Sequence, residues 1–105
     1  IETSIDDESN LQKIFTLKPA YPNPFNEQIT IPFQIQSLGN NARLSIYSII
    51  GEKVFNADLN QNQINQGFVK WNPLNNSQMT ISSGPYIVRI ESNKMSSTKK
   101  ILFIK

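Results

Sequence analysis

The 105-residue chain contains neither cysteine nor histidine. Without thiols there is no disulfide to hold the fold, no cysteine nucleophile and no zinc ribbon. The missing imidazole removes the commonest general base and metal ligand together, so a conventional serine triad and a zincin site are excluded on residue type. Glycine is scarce and scattered, at positions 39, 51, 67 and 84, so no loop has the spacing that cradles a phosphate. Each of these glycines reads as a turn residue. No apolar run approaches the roughly 18 residues of a membrane-crossing helix, and no transmembrane segment is expected. No ten-residue segment shows helical periodicity, and no strand-helix-strand alternation points to a parallel sheet with a switch-point ligand site. A sugar-hydrolysing carboxylate pair would have to come from Glu27, Glu52, Asp58 and Glu91, which fall mostly on turns or exposed strand phases. Asp6-Asp7-Glu8 lacks the spaced ligands and the glycine of a calcium loop. The chain is therefore expected to be no enzyme, and to have no catalytic residue, no metal site and no cofactor.

What is present describes one domain, long enough to bury a modest core. Thirteen Asn and eight Gln are interleaved with apolar runs, which favours an ordered domain with an amide-rich surface over a low-complexity segment. Charge is uneven along the chain. Glu2, Asp6, Asp7 and Glu8 open it, whereas residues 9–105 hold all ten Lys and Arg against four acids, a balance of +6. Residues 94–105 carry Lys94, Lys99, Lys100 and Lys105 and no acid. Such an end suits phosphate, anionic lipid or an acidic protein surface, or simply protects an edge strand from pairing with other chains. Residues 1–14 read as an acidic linker and residues 15–105 as the folded unit. With no initiator Met at its start, the chain is expected to be a piece of a longer protein.

Apolar residues recur with a period of two through most of this unit. Lys13 to Lys18 supplies a first short strand around Ile14, Phe15 and Leu17. Ile29, Ile31, Phe33 and Ile35 define a second, where Pro32 predicts a sheet edge or a bulge. Leu38 to Asn41 is a turn. Residues 42–59 read as a hairpin, with Ala42, Leu44 and Ile46 on one face, Tyr47 and Ile49 on the other, and Gly51 supplying a positive φ. A polar stretch, Asn60 to Gln66, leads to a short strand over Phe68 to Trp71. A long loop, Asn72 to Ser83, follows, with Met79 and Ile81 as anchors. Tyr86, Val88 and Ile90 mark the next strand and Thr98 to Ile104 the last. About seven short strands with turn signals between them predict an all-β, immunoglobulin-like antiparallel sandwich of two sheets. Trp71 reads as core, although Trp71, Tyr86 and Tyr47 are also the rings available to a sugar-stacking face. Lys99, Lys100 and Arg89 with Phe103 lack the paired aromatics and basic groove of a nucleic-acid surface, so no nucleic acid is expected as partner.

The densest local feature is Tyr21-Pro22-Asn23-Pro24-Phe25-Asn26. Two prolines fix φ, remove two donors and push Tyr21 and Asn23 into extended conformations, so the segment is a stiff corner docked by its rings onto a core edge. Several features follow it in order: the Ile29, Ile31 and Phe33 alternation, Leu44-Ser-Ile-Tyr47, Gly51, Gly67, Trp71-Asn72, Ser83-Gly84 before Tyr86 and Arg89, and the closing Lys99-Lys100-Ile101-Leu102-Phe103-Ile104-Lys105. This ordered set, over residues 15–105, resembles the type A C-terminal sorting domain of the type IX secretion system of Bacteroidetes-like bacteria. The chain departs from that pattern at Trp71-Asn72-Pro73, where the family has Trp-Asp-Gly, and at Pro85, where a β-branched residue is usual. Both departures flank the long loop.

The resemblance implies a sorting and secretion signal that performs no reaction. It implies a parent protein preceding Ile1, recognition by an outer-membrane translocon after passage through the periplasm, removal by a sortase-like peptidase, and delivery of the parent to the cell surface or medium. Lys99, Lys100 and Lys105 are the expected recognition charges, and Ile101, Leu102, Phe103 and Ile104 the strand that presents them. Cleavage is expected within residues 1–14. The rival expectation is a passive immunoglobulin-like or carbohydrate-binding accessory module.

Overall fold

The computed structural model describes residues 15–35, 42–75, 81–92 and 95–105. The acidic linker, the turn at Leu38 to Asn41 and the Met79 anchor lie outside the described residues. Among those described, seven strands and one short helix occur in the order β1 (Phe15–Leu17), β2 (Ile29–Ile35), β3 (Ala42–Ser48), β4 (Lys53–Leu59), α1 (Gln61–Gln66), β5 (Phe68–Trp71), β6 (Gly84–Ser92) and β7 (Met95–Phe103). They form two antiparallel sheets, β1-β2-β5 and β4-β3-β6-β7. The inward phases of both sheets meet in a single apolar cluster, with Ile29, Ile31, Leu44, Ile46, Val88, Ile90, Ile101 and Phe103 at its centre. The expected all-β sandwich is the observed one.

The structure corrects the placement of Pro32. It lies on β2, the middle strand of its sheet, where a residue without an N–H would ordinarily break a ladder. The carbonyl of Pro32 accepts from Lys18 N at 3.0 Å, so the missing donor faces the β1 side, one residue beyond the last residue of β1. On the β5 side, Phe33 N donates to Gly67 O at 2.9 Å. The ladder is thus complete where it exists, and the proline occupies the point at which its neighbour departs. Pro85 is accommodated in the same way. Its register partner Leu102 turns its polar groups outward, so Pro85 turns toward β3, which has already ended at Ser48.

The polar stretch after β4 is a six-residue helix and not a plain loop. Asn60 Oδ1 accepts from Gln63 N at 2.8 Å while Gln63 Oε1 accepts from Asn60 N at 3.0 Å, a reciprocal capping box. Gly67, with φ of 86°, closes the helix in the left-handed conformation that a Cβ would penalise. Only Ile64 of the helix is buried, which is why no amphipathic period betrayed it. The helix crosses from β4 in one sheet to β5 in the other and closes that side of the sandwich.

The other side is closed by the residues that follow β1. Phe15 to Leu17 pair with β2, and Tyr21 still bridges Thr30 of β2. Leu17 N turns the other way, toward Ser97 Oγ of β7 at 3.4 Å. By Phe25 the chain has left the first sheet and makes a parallel bridge to Phe103 of the second. The proline corner is the point at which one segment switches sheets. Both X-Pro bonds in it, Tyr21-Pro22 and Asn23-Pro24, are cis.

Candidate recognition surface

The corner and the final strand, the two ends of the sequence pattern, are joined edge to edge. Phe25 N donates to Leu102 O at 3.0 Å and Ile104 N donates to Phe25 O at 2.8 Å. Asn23 lies between the two prolines, and its side-chain amide acts like a further rung: Oδ1 accepts from Leu102 N at 2.9 Å and Nδ2 donates to Lys100 O at 3.4 Å. Prolines cannot donate, so the asparagine side chain supplies the groups that the backbone of the corner lacks. Beneath these bonds the Phe25 ring is buried, with its centroid 5.0 Å from that of Phe103 and 5.9 Å from that of Trp71. The sequence suggested an open final edge guarded by lysines. From Lys100 to Ile104 that edge is instead occupied by the corner.

Strand alternation then sorts the residues expected to carry recognition. Ile101 and Phe103 are 1% and 0% exposed and belong to the core, so a partner meeting the folded domain cannot touch them. Leu102 and Ile104 project outward, and Lys99, Lys100 and Lys105 are exposed. Lys99 and Lys100 leave β7 on opposite faces. Lys100 stands on the outer face of the four-stranded sheet in a cross-strand row with Ile87 and Tyr47, and the Lys53 ammonium lies over the Tyr47 ring, 5.7 Å from its centroid. Lys99 is on the phase of Ile101 yet reaches solvent, between the point where β1 touches Ser97 and the point where Asn23 touches Leu102. Among the described residues the ion pairs are Arg43 with Asp58 at 2.8 Å and Arg89 with Glu91 at 3.1 Å. The hydrogen bond and charge of Asp58 raise the pKa of Arg43 above its ordinary value. The lysines at positions 99, 100 and 105 take part in neither pair, which leaves their charge directed at solvent.

Several other residues of the sequence pattern frame the same end of the sandwich. Gly84, the first residue of β6, is in register with Phe103. Lys105 N donates to Ser83 Oγ at 2.7 Å, which ties the last residue to the loop that leads into β6. Tyr86 donates from its hydroxyl to Ser82 O at 2.6 Å, the backward reach of a tyrosine corner. Burial pushes its phenol above the ordinary value of 10.0, although the bond to Ser82 acts in the opposite direction. Trp71 is 4% exposed and packs edge-on against Tyr86, so it offers no ring on which a sugar could stack. The departure at Asn72-Pro73 has a local solution, because Asn72 Oδ1 accepts from Leu74 N at 2.9 Å and starts a short 3₁₀ turn over Pro73–Asn75.

One part of this end was not singled out in the sequence. The turn between β3 and β4 carries Ile49 and Ile50 at 72% and 85% exposure, the two most exposed large apolar side chains among the described residues. The turn itself is firmly built. Gly51 N donates to Ser48 O at 2.9 Å, Ser48 N donates to Glu52 O at 2.7 Å and Glu52 N donates to Ser48 Oγ at 3.1 Å, while Gly51 takes a φ of 93°. Two adjacent isoleucines just before a turn glycine were the available signal, since such positions are ordinarily polar.

Compared with families of known proteins, the chain matches the secretion system C-terminal sorting domain over residues 19–105. Comparison with curated protein sequences finds no match.

Proposed function

Because the chain belongs to the family of secretion system C-terminal sorting domains, the sorting signals of type IX secretion, we propose that it directs a parent protein preceding Ile1 through the periplasm to an outer-membrane translocon and out to the cell surface or medium. In this reading residues 15–105 are the folded signal and residues 1–14 a linker in which a sortase-like peptidase cuts. The domain performs no reaction and acts as a surface. The observation that carries the proposal is the union of corner and final strand. The hydrogen bonds of Asn23 and Phe25 hold Lys100 to Ile104 in one geometry, so Lys99, Lys100, Leu102, Ile104 and Lys105 are offered to the translocon as a fixed epitope. Preorganisation of this kind lowers the ordering cost of binding. The passive-module alternative has no exposed Trp71 ring to use.

The test is a reporter with this chain as its C-terminal part and the substitutions Lys99→Glu, Lys100→Glu and Lys105→Glu together, in a type IX-competent bacterium. Export is expected to fall at least tenfold. All three side chains are exposed, and surface substitutions ordinarily change stability by less than about 0.5 kcal/mol each, so the melting temperature should hold to within several degrees. Undiminished export of the triple variant would remove these lysines from the signal.

A further inference from the structure

We propose that the β3–β4 turn is a second half of the recognition surface, and that Ile49 and Ile50 insert into an apolar, acid-rimmed pocket on a protein of the outer-membrane secretion machinery. This rests on the sorting function proposed above. Four of the exposed large apolar residues, Ile49, Ile50, Leu102 and Ile104, are brought to one end of the sandwich by register. Ser48, the last residue of β3, is in register with Tyr86, and Tyr86 with Ile101, so the turn and the last residues of the chain leave the sheet on the same side. Ile49 and Ile50 line a shallow recess together with Ser83, Gly84 and Pro85, and Ser83 holds Lys105. The turn residues and the strand residues are therefore neighbours in space although about fifty positions apart in sequence.

Apolar side chains held in solvent by a rigid turn mark an interaction surface. The chemistry of the partner follows from what surrounds them. Lys53 begins β4 directly after the turn, Lys100 and Lys105 flank Leu102 and Ile104, and Glu52 adjoins Lys53 within the turn. The complement of aliphatic points ringed by cations is an apolar depression with carboxylates at its rim. An anionic membrane is the weaker match. Lipid-reading patches use clusters of about four to eight cations and tend to bury Trp, Phe or Leu. Here the foremost apolar side chains are the two isoleucines of the turn, with Leu102 less exposed at 38%, and the four lysines at positions 53, 99, 100 and 105 do not form one cluster, because Lys99 and Lys100 leave β7 on opposite faces. A convex hairpin tip also suits a pocket better than a flat surface.

The experiment measures export of the reporter carrying this chain, in wild type and with Ile49→Ser and Ile50→Ser together, alongside melting curves of the purified chain. The double variant is expected to reduce export about tenfold or more while melting at the wild-type temperature, because neither side chain contributes to the core. Lys53→Glu is expected to lower export and Lys53→Arg to preserve it. Export of the wild-type reporter with equal export of the double variant overturns this inference and leaves the sorting function standing, whereas no export of the wild-type reporter overturns both. The purified chain is also mixed with phosphatidylcholine vesicles containing one quarter phosphatidylglycerol. Sedimentation with the vesicles that depends on Ile49 and Ile50 would overturn the protein pocket in favour of a lipid surface.

Discussion

Phe25→Ala is expected to remove about 3–5 kcal/mol of stability, the usual range for a buried phenylalanine. A domain of this size holds roughly 5–15 kcal/mol in all, so a large share of the stability is lost and the melting temperature falls by well over 10 °C. The expectation follows from where the ring sits. Phe25 touches Phe103 and Trp71 at once and fills the seam where the first segment changes sheets. Its backbone makes two of the bonds that hold the final strand. Leu at this position restores bulk without the ring contacts and should recover about half of the loss. Thermal unfolding followed by near-ultraviolet dichroism reads both variants, because Trp71 reports on the same cluster. A Phe25→Ala domain as stable as wild type would mean that the corner rests on the sandwich without holding it.

Removal of residues Ile101 to Lys105 is expected to unfold the domain and to abolish export together. Ile101 and Phe103 are among its most buried residues, and deleting side chains of these types from a core costs about 2–5 kcal/mol for each. The same cut takes away Leu102 and Ile104, and with them every backbone bond to Phe25 and the shorter Asn23 bond. The sum reaches the whole stability of an ordinary domain. Loss of secretion after such a truncation would therefore leave signal and scaffold undivided. Point changes at Lys99, Lys100, Leu102, Ile104 and Lys105 separate them. The truncated chain is expected to lose its near-ultraviolet signal and to be degraded rapidly by added protease. A folded, protease-resistant product would contradict the core placement of Ile101 and Phe103.

The sheets were legible because their residues alternate: β2, β3 and β6 show their inward faces in Ile29, Ile31 and Phe33, in Leu44 and Ile46, and in Tyr86, Val88 and Ile90. The helix α1 was not, since one buried residue in six leaves no period to read, although Asn60, Gln63 and Gly67 spelled its caps. Pro32 signals a sheet edge or a bulge in the sequence, whereas the position of a missing donor depends on where the neighbouring strand stops, a tertiary fact. The character of the corner as a rigid, aromatic-anchored segment could be seen in Tyr21 to Asn26. Its partner could not, because Asn23 and Leu102 are 79 positions apart and meet only after the sandwich closes. The lysines of the final strand were visible as a charge run, but their division between two faces, and the split of Ile101 and Phe103 from Leu102 and Ile104, required the register of β7 against β6.

A sorting domain of this kind should be sufficient to export a protein that has no other route across the outer membrane. The decisive measurement fuses a periplasmic reporter, complete with its own signal peptide, to residues 1–105 and determines the share found outside the outer membrane of a type IX-competent bacterium. Most of the fusion is expected at the surface or in the medium, while the same reporter without the chain stays in the periplasm. Equal retention of both reporters, with the fused domain shown to be folded, would contradict the sorting function.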